Sequence, residues 1–303
     1  MITRDADAFF AAALACPADF GPPTARAAFL VSPEGFGRAE ESARDNRYMA
    51  AAAAFDPDLA MREHRALQRR MSTVLPTVCF AGDPATPDAV FPNNVFATVD
   101  GRAIIGRMRH PVRQAEASRA DIRGFLRDVL RHREIDLSTQ PHPCELTGSL
   151  VIDRARGLGF CGLSERCDEA GARLMHEAFG LRATLLFDLA PGEYHGNVVL
   201  AVLAGRAALV CPQGFADPTV GDAIAGFYGA AGFRLDAAAK AAFVANAIAL
   251  SPASVWMSAA AGAALPAPVR AGLEAAGFVV ETVPLAAVEA AGGSLRCCVA
   301  EIY

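Results

Sequence analysis

The chain has 303 residues, 53% of them hydrophobic and 20% charged, with a formal net charge of −5. This supplies a large core, and a negative balance without any basic run argues against nucleic acid as a partner. No apolar stretch reaches membrane-spanning length free of charges and prolines, and the acidic opening MITRDADAFF lacks the basic start of a signal peptide, so no membrane partner and a cytoplasmic location are expected. The eight cysteines form no CxxC pair, which fits reduced thiols, and the six histidines lack HxH or HxxxH spacing, so no metal site is expected.

The first predicted strand is RAAFLVSP, from Arg26. Four hairpins follow, each an apolar strand, a short turn and a second apolar strand. They are NVFATVDGRAIIGRM from Asn94, SLVIDRARGLGFCGL from Ser149, NVVLAVLAGRAALVC from Asn197 and NAIALSPASVWMSAA from Asn246. Their turns carry Asp-Gly, Arg-Gly, Ala-Gly and Ser-Pro. Helical periodicity follows most of them. RADIRGFLRDVLRHR places Ile122, Phe125, Leu126 and Val129 on one face, and DEAGARLMHEAFG and PAPVRAGLEAAG behave similarly. The chain closes on SLRCCVAEIY, which with RAAFLVSP makes a partial fifth copy.

Repetition at about fifty residues signals a closed or stacked array. Kelch-type blades share that period but are all strand, whereas here each unit carries a helix. The expected fold is therefore α/β, with the helices outside. If five units close a ring, the residues just before each hairpin converge. Those are Asn94, Glu145, His195 with Asn197, and Asn246, together with the GGSLRC that precedes the last strand. A thiol, an imidazole, a carboxylate and several amides at equivalent positions are the parts of a thiol-dependent hydrolase.

In order along the chain, FLVSPEGFGRAEESARDNRYM, TPDAVFPNN, ELTGSLVIDR, GLSERCD, YHGNVVLAV, FVANAIAL and GGSLRCCVAEIY resemble the motifs of the guanidino-group-modifying enzymes, the amidinotransferase or pentein superfamily. They are most similar to those of its bacterial citrulline-utilization hydrolases. The resemblance implies one domain over 1–303, a five-bladed α/β propeller of ββαβ units with pseudo-five-fold symmetry. It also implies cofactor-free hydrolysis of a small arginine-like amino acid, and is compatible with a homo-oligomer.

By the same resemblance Cys297 is the nucleophile, His195 the acid/base and Glu145 the carboxylate that orients it. Cys298, on the opposite face of a regular strand, is expected in the core. Arg113, in RMRHPVRQAE, takes the place of an arginine that holds the substrate α-carboxylate, where a bidentate pair is expected. Asn94 and Asn197 stand where arginine deiminases carry two aspartates. An amide donates as well as accepts, which suits a neutral ureido oxygen better than a guanidinium. The favoured reaction is thus citrulline to ornithine, ammonia and carbon dioxide. Arginine dihydrolase, deiminase or amidinotransferase chemistry is the nearest rival, and a non-catalytic binding protein of the same fold is the rival of another class. Asn46 and Asn246 match family asparagines but are left outside the expected site, the latter as a helix-end residue. His64, His132 and His176 fall in helical patterns and are taken as structural.

Overall fold

The computed structural model describes residues 1–50, 52 and 55–303. A two-residue strand, β1 (Ile2–Thr3), comes first. β2 (Ala27–Val31) runs parallel to β3 (Thr77–Phe80), joined by the helix Pro57–Met71. The hairpin β4 (Phe96–Val99) and β5 (Arg102–Ile105) is followed by a helical stretch and by β6 (Arg133–Asp136), parallel to β5. β7 (Leu150–Asp153), β8 (Leu158–Leu163), the helix Glu169–Phe179 and β9 (Ala183–Asp188) repeat the pattern, with β1 added along β9. So do β10 (Leu200–Leu203), β11 (Ala207–Val210) and β12 (Gly232–Arg234), and then β13 (Ile248–Ser251), β14 (Ser254–Ser258) and β15 (Val279–Val283). β16 (Ala300–Ile302) returns to pair antiparallel with β2. The described residues thus form five small sheets, each an antiparallel pair extended by a parallel strand across a helix, one of them lengthened to four strands by β1.

Local chemistry explains the repeats. The Asp100–Gly101 turn takes positive φ at both residues, as a two-residue hairpin requires, and Ala204 and Gly205 do the same in the three-residue turn between β10 and β11. The helix Pro57–Met71 starts on Asp56, whose carboxylate accepts from the Leu59 N–H, and it buries Ala60, His64, Leu67 and Met71 along one stripe. The Glu169–Phe179 helix begins on Asp168 and ends on Gly180 in the left-handed region. Large side chains fill the space between sheets and helices, among them Trp256, Phe29, Phe160 and Phe179, each worth about 2–3 kcal/mol of burial. Among the described residues no helix is long and apolar enough to cross a membrane.

Two expectations change here. The helix after β5 does not keep its period. Ala120–Gly124 is α-helical, but Phe125–Val129 forms a π-turn, in which Leu130 N–H donates to Phe125 O. The extra residue per turn keeps Ile122 and Leu126 buried and swings Val129 into solvent, at 67% exposure. The motif residues also do not begin the strands. They sit in single helical turns just before them: Pro92–Asn94, Leu146–Ser149, Gly196–Val199 and Leu295–Cys298.

His64 is indeed helical, and both its ring nitrogens are buried without a partner. Burial pushes its pKa down to about 4, with only the Glu34 charge opposing. In the unfolded chain it titrates near 6.5. The folded state therefore loses stability as pH falls from about 6.5 to 4, where the unfolded chain takes the proton first. Comparison with His64→Phe by urea unfolding should show the wild type losing up to about 3 kcal/mol more over that interval. Parallel pH profiles would refute this.

Candidate active site

The helical turns that open β4, β7, β10 and β16 bring their residues together. Asn94, His195 and Cys297 line one cleft, with Asp88, Arg113 and Arg166 on its walls. The cleft is narrow, with a cavity volume of about 20 Å³, room for about one water. Gly148 lies between two of these groups: a Cβ there would meet Asn94 Oδ1 at 2.5 Å and His195 Nδ1 at 2.9 Å. Only glycine lets them approach across this turn.

Glu145 is fully buried at the start of its turn. Its Oε2 lies 2.8 Å from His195 Nε2 and 3.4 Å from an Arg166 nitrogen, and its Oε1 accepts from the Arg109 N–H at 3.0 Å. Burial alone would raise its pKa, but the charges and hydrogen bonds of Arg166, His195 and Arg113 hold it well below the usual carboxylate range. An ionised Glu145 only accepts, so His195 Nε2 carries the proton. Nδ1, buried and without a partner, is left as a base. Burial lowers the His195 pKa, with Glu145 opposing. Arg166 is in turn fixed by Asp45, at 2.9 Å from Nε, which also binds His110.

Cys297 Sγ receives a hydrogen bond from Asn246 Nδ2 at 3.3 Å and lies 3.7 Å from Asn197 Oδ1. Burial pushes the thiol pKa up, and the hydrogen bond from Asn246 is the largest opposing influence. Cys298 is fully buried beside it, its Sγ 3.5 Å from Ser294 O, as expected of a core residue. Both cysteines lie in the turn Leu295–Cys298, so burial rather than strand alternation separates them from solvent.

Three expectations are corrected. Asn197 does not line the cleft. Its Nδ2 donates to Thr147 O at 3.1 Å and its Oδ1 accepts from Asn246, so both ends are occupied and it serves the thiol's surroundings instead of offering a free amide. Arg113 lines the cleft, but Nε and Nη2 are each 2.8 Å from Glu116, and Nη2 also reaches Phe91 O at 3.1 Å. Nη1 alone is left, so a bidentate clamp on a ligand is not available. Asn246, left outside the site by sequence, touches Cys297 and holds the Arg296 N–H through its own Oδ1 at 3.0 Å. Sequence reasoning also missed Asp88, whose Oδ1 is buried and unpartnered, and Arg166. Both lie inside quoted motifs, TPDAVFPNN and GLSERCD, where their charge was the available signal. Asn46 caps Tyr48 and Met49 from the cleft wall.

Asn246 provides a test of the thiol's surroundings. Asn246→Ala should move the pH midpoint of Cys297 alkylation up by about one unit, equivalent to about 1.4 kcal/mol. Asn246→Asp keeps the volume and the contact with Arg296 N–H but sets a carboxylate against the sulfur, so it should move the midpoint further. A purely structural asparagine would give no such ranking.

Among the described residues no three His, Cys, Asp or Glu side chains are placed to hold a metal ion. No curated protein matches the chain by sequence. The family model described as N,N dimethylarginine dimethylhydrolase, eukaryotic, matches residues 32–303. Among solved structures, the N-terminal domain of ArgZ, an arginine dihydrolase of the cyanobacterial ornithine–ammonia cycle, superposes with a TM-score of 0.78 at 17% identity, over 91% of this chain and 97% of that one. The longer ArgZ chain is covered to 40%. A dimethylarginine dimethylaminohydrolase carrying an S-methyl-L-thiocitrulline adduct superposes with a TM-score of 0.70 at 17% identity, over 92% of this chain and all of that one. At such identities the structures establish the shared mixed α/β fold, while the family match rests on the sequence. The chain belongs to the N,N dimethylarginine dimethylhydrolase family, within the pentein superfamily of guanidino-modifying enzymes, and is a hydrolase of C–N bonds.

Proposed function

We propose that this protein hydrolyses the terminal C–N bond of citrulline, as one domain whose five sheets close as propeller blades around the site. The observation that carries this reading is the setting of Cys297. The groups that touch its sulfur are the uncharged amides of Asn246 and Asn197. The nearby Glu145 is already neutralised by Arg166 and engaged by His195. A neutral ureido group suits that setting, whereas a guanidinium would find no carboxylate hydrogen-bonded to the sulfur. At the far wall Asp88 Oδ1 and Arg113 Nη1 remain free, a matched pair for an α-ammonium and an α-carboxylate.

His195 Nδ1 takes the Cys297 proton, the thiolate adds to the ureido carbon, and the imidazolium passes that proton to the ammonia as its C–N bond breaks. A thiocarbamate remains on the sulfur. Water, deprotonated by His195 Nδ1, attacks it, the thiolate leaves, and the carbamate falls apart to ornithine and carbon dioxide. Asn94 binds the ureido group. The second reading is a guanidino substrate, arginine or a methylated arginine, which the family match favours. Incubation with citrulline, arginine and dimethylarginine, scoring ornithine, citrulline, ammonia and dimethylamine, separates them. Ornithine from citrulline supports the first reading, and dimethylamine without ornithine overturns it.

A further inference from the structure

A second cleft, of about 520 Å³, shares no lining residue with the one that holds Cys297. Its walls carry Arg26, Arg102, Arg131, Arg154 and His132, against a single carboxylate, Asp100. In a chain of net charge −5 this concentration of cations is unusual, and none of the four arginines makes an ion pair among the described residues. Four guanidinium groups with one side-chain carboxylate among them repel one another, and an anion placed among them relieves that repulsion.

We propose that this cleft binds a small oxyanion carrying two or more negative charges, of the pyrophosphate or polycarboxylate class. Arg154 is held firmly as its floor. The residue is 93% buried, as its 7% exposure shows; its guanidinium lies 4.1 Å from the centre of the Tyr303 ring and donates to Thr98 O at 3.1 Å. Guanidinium groups held in this way suit the paired oxygens of phosphates and carboxylates. His132 gives the independent observation. It is 3% exposed, and its Nε2 lies 3.4 Å from Arg26 Nη2. Arginine only donates, so Nε2 accepts and the ring proton sits on Nδ1. That Nδ1 is buried and without a partner, a donor left for an acceptor the chain does not supply.

The backbone around it is equally particular. His132 lies beyond the π-turn Phe125–Val129, not in a helix as its sequence pattern suggested, and Arg131 before it takes φ 61°. A non-glycine residue in that region is strained, yet here it carries one of the four guanidinium groups.

The test is calorimetric titration of the full chain with sodium pyrophosphate and with citrate at fixed ionic strength, repeated on an Arg26→Ala, Arg131→Gly double variant. Arg131→Gly relieves the left-handed residue, so the variant keeps its fold, which circular dichroism checks. Wild type should bind one equivalent of at least one anion with a dissociation constant below roughly 1 mM, and the variant should bind at least about tenfold more weakly. Tighter pyrophosphate assigns the phosphate class and tighter citrate the carboxylate class. No binding of either anion, or equal binding by the variant, overturns the proposal. So does a shift with single-stranded RNA that neither small anion competes away.

Discussion

Cys297→Ala should abolish turnover, by at least about 10⁴-fold in kcat, while leaving the circular dichroism spectrum unchanged. Without the sulfur there is no atom to carry the thiocarbamate, and neither His195 nor Glu145 can replace it. The fold should tolerate the change, because the loss is one small atom's packing at the edge of an apolar cluster, one weak hydrogen bond from Asn246 and the approach to Asn197. Cys298→Ala is the control. Its sulfur sits in the apolar cluster with Trp256 and Met71, away from the cleft, so the variant should lose about 1–2 kcal/mol of stability and keep most of its activity. Ammonia release and mass spectrometry of acid-quenched enzyme read both points, the second by a mass increment on the wild type and Cys298→Ala but not on Cys297→Ala. Full activity in Cys297→Ala would mean that the wrong thiol was chosen or that no covalent step exists.

Wild-type enzyme should prefer citrulline to arginine by at least about a hundredfold in kcat/KM. Taking a guanidinium out of water without an anionic partner costs several kcal/mol, and each 1.4 kcal/mol is tenfold in the specificity constant. Asn94 is the position to change, because its Oδ1 is buried, faces no donor and lines the cleft. Asn94→Asp should narrow or invert the ratio even as absolute rates fall. Asn197→Asp should behave differently. Its carboxylate would face the Cys297 sulfur instead of the substrate, raise the thiol pKa and slow both substrates together. Asp88 has a free oxygen in the same cleft and is the group that could rescue arginine binding. Equal release of ornithine from arginine and citrulline would replace the ureido reading with the dihydrolase one.

Much of this was legible because the chain says the same thing five times. Hairpins recurring at about fifty residues fixed where the equivalent positions lie, and the structure places Asn94, His195 and Cys297 on one cleft, with Glu145 against His195. What failed to show was whatever depends on a partner far away in sequence. The amide of Asn197 is spent on Thr147 and Asn246, and most of the Arg113 guanidinium on Glu116, facts that no local pattern encodes. Asn246 looked like a helix end because its neighbours are helical, and its contact with Cys297 exists only once the sheets meet. The π-turn at Phe125–Val129 escaped for another reason. Its side chains fit an α-helical stripe, and only the hydrogen bond to Leu130 reveals the extra residue.

The pairing of β16 with β2 also bears on how long the molecule stays in working order. Three residue pairs join them, Ala300 with Phe29, Glu301 with Ala28 and Ile302 with Ala27. The turn that carries Cys297 lies directly before this short ladder, whereas the other four sheets each hold a hairpin closed within its own stretch of chain. Bringing β16 to β2 spends the largest chain-closure entropy in the fold for only three pairs. The clasp is therefore the natural place for transient unfastening, in which Cys297 drifts from Asn246 while the histidine and its carboxylate stay put. An ageing preparation would then fall silent one clasp at a time, its bulk spectroscopic signature still intact.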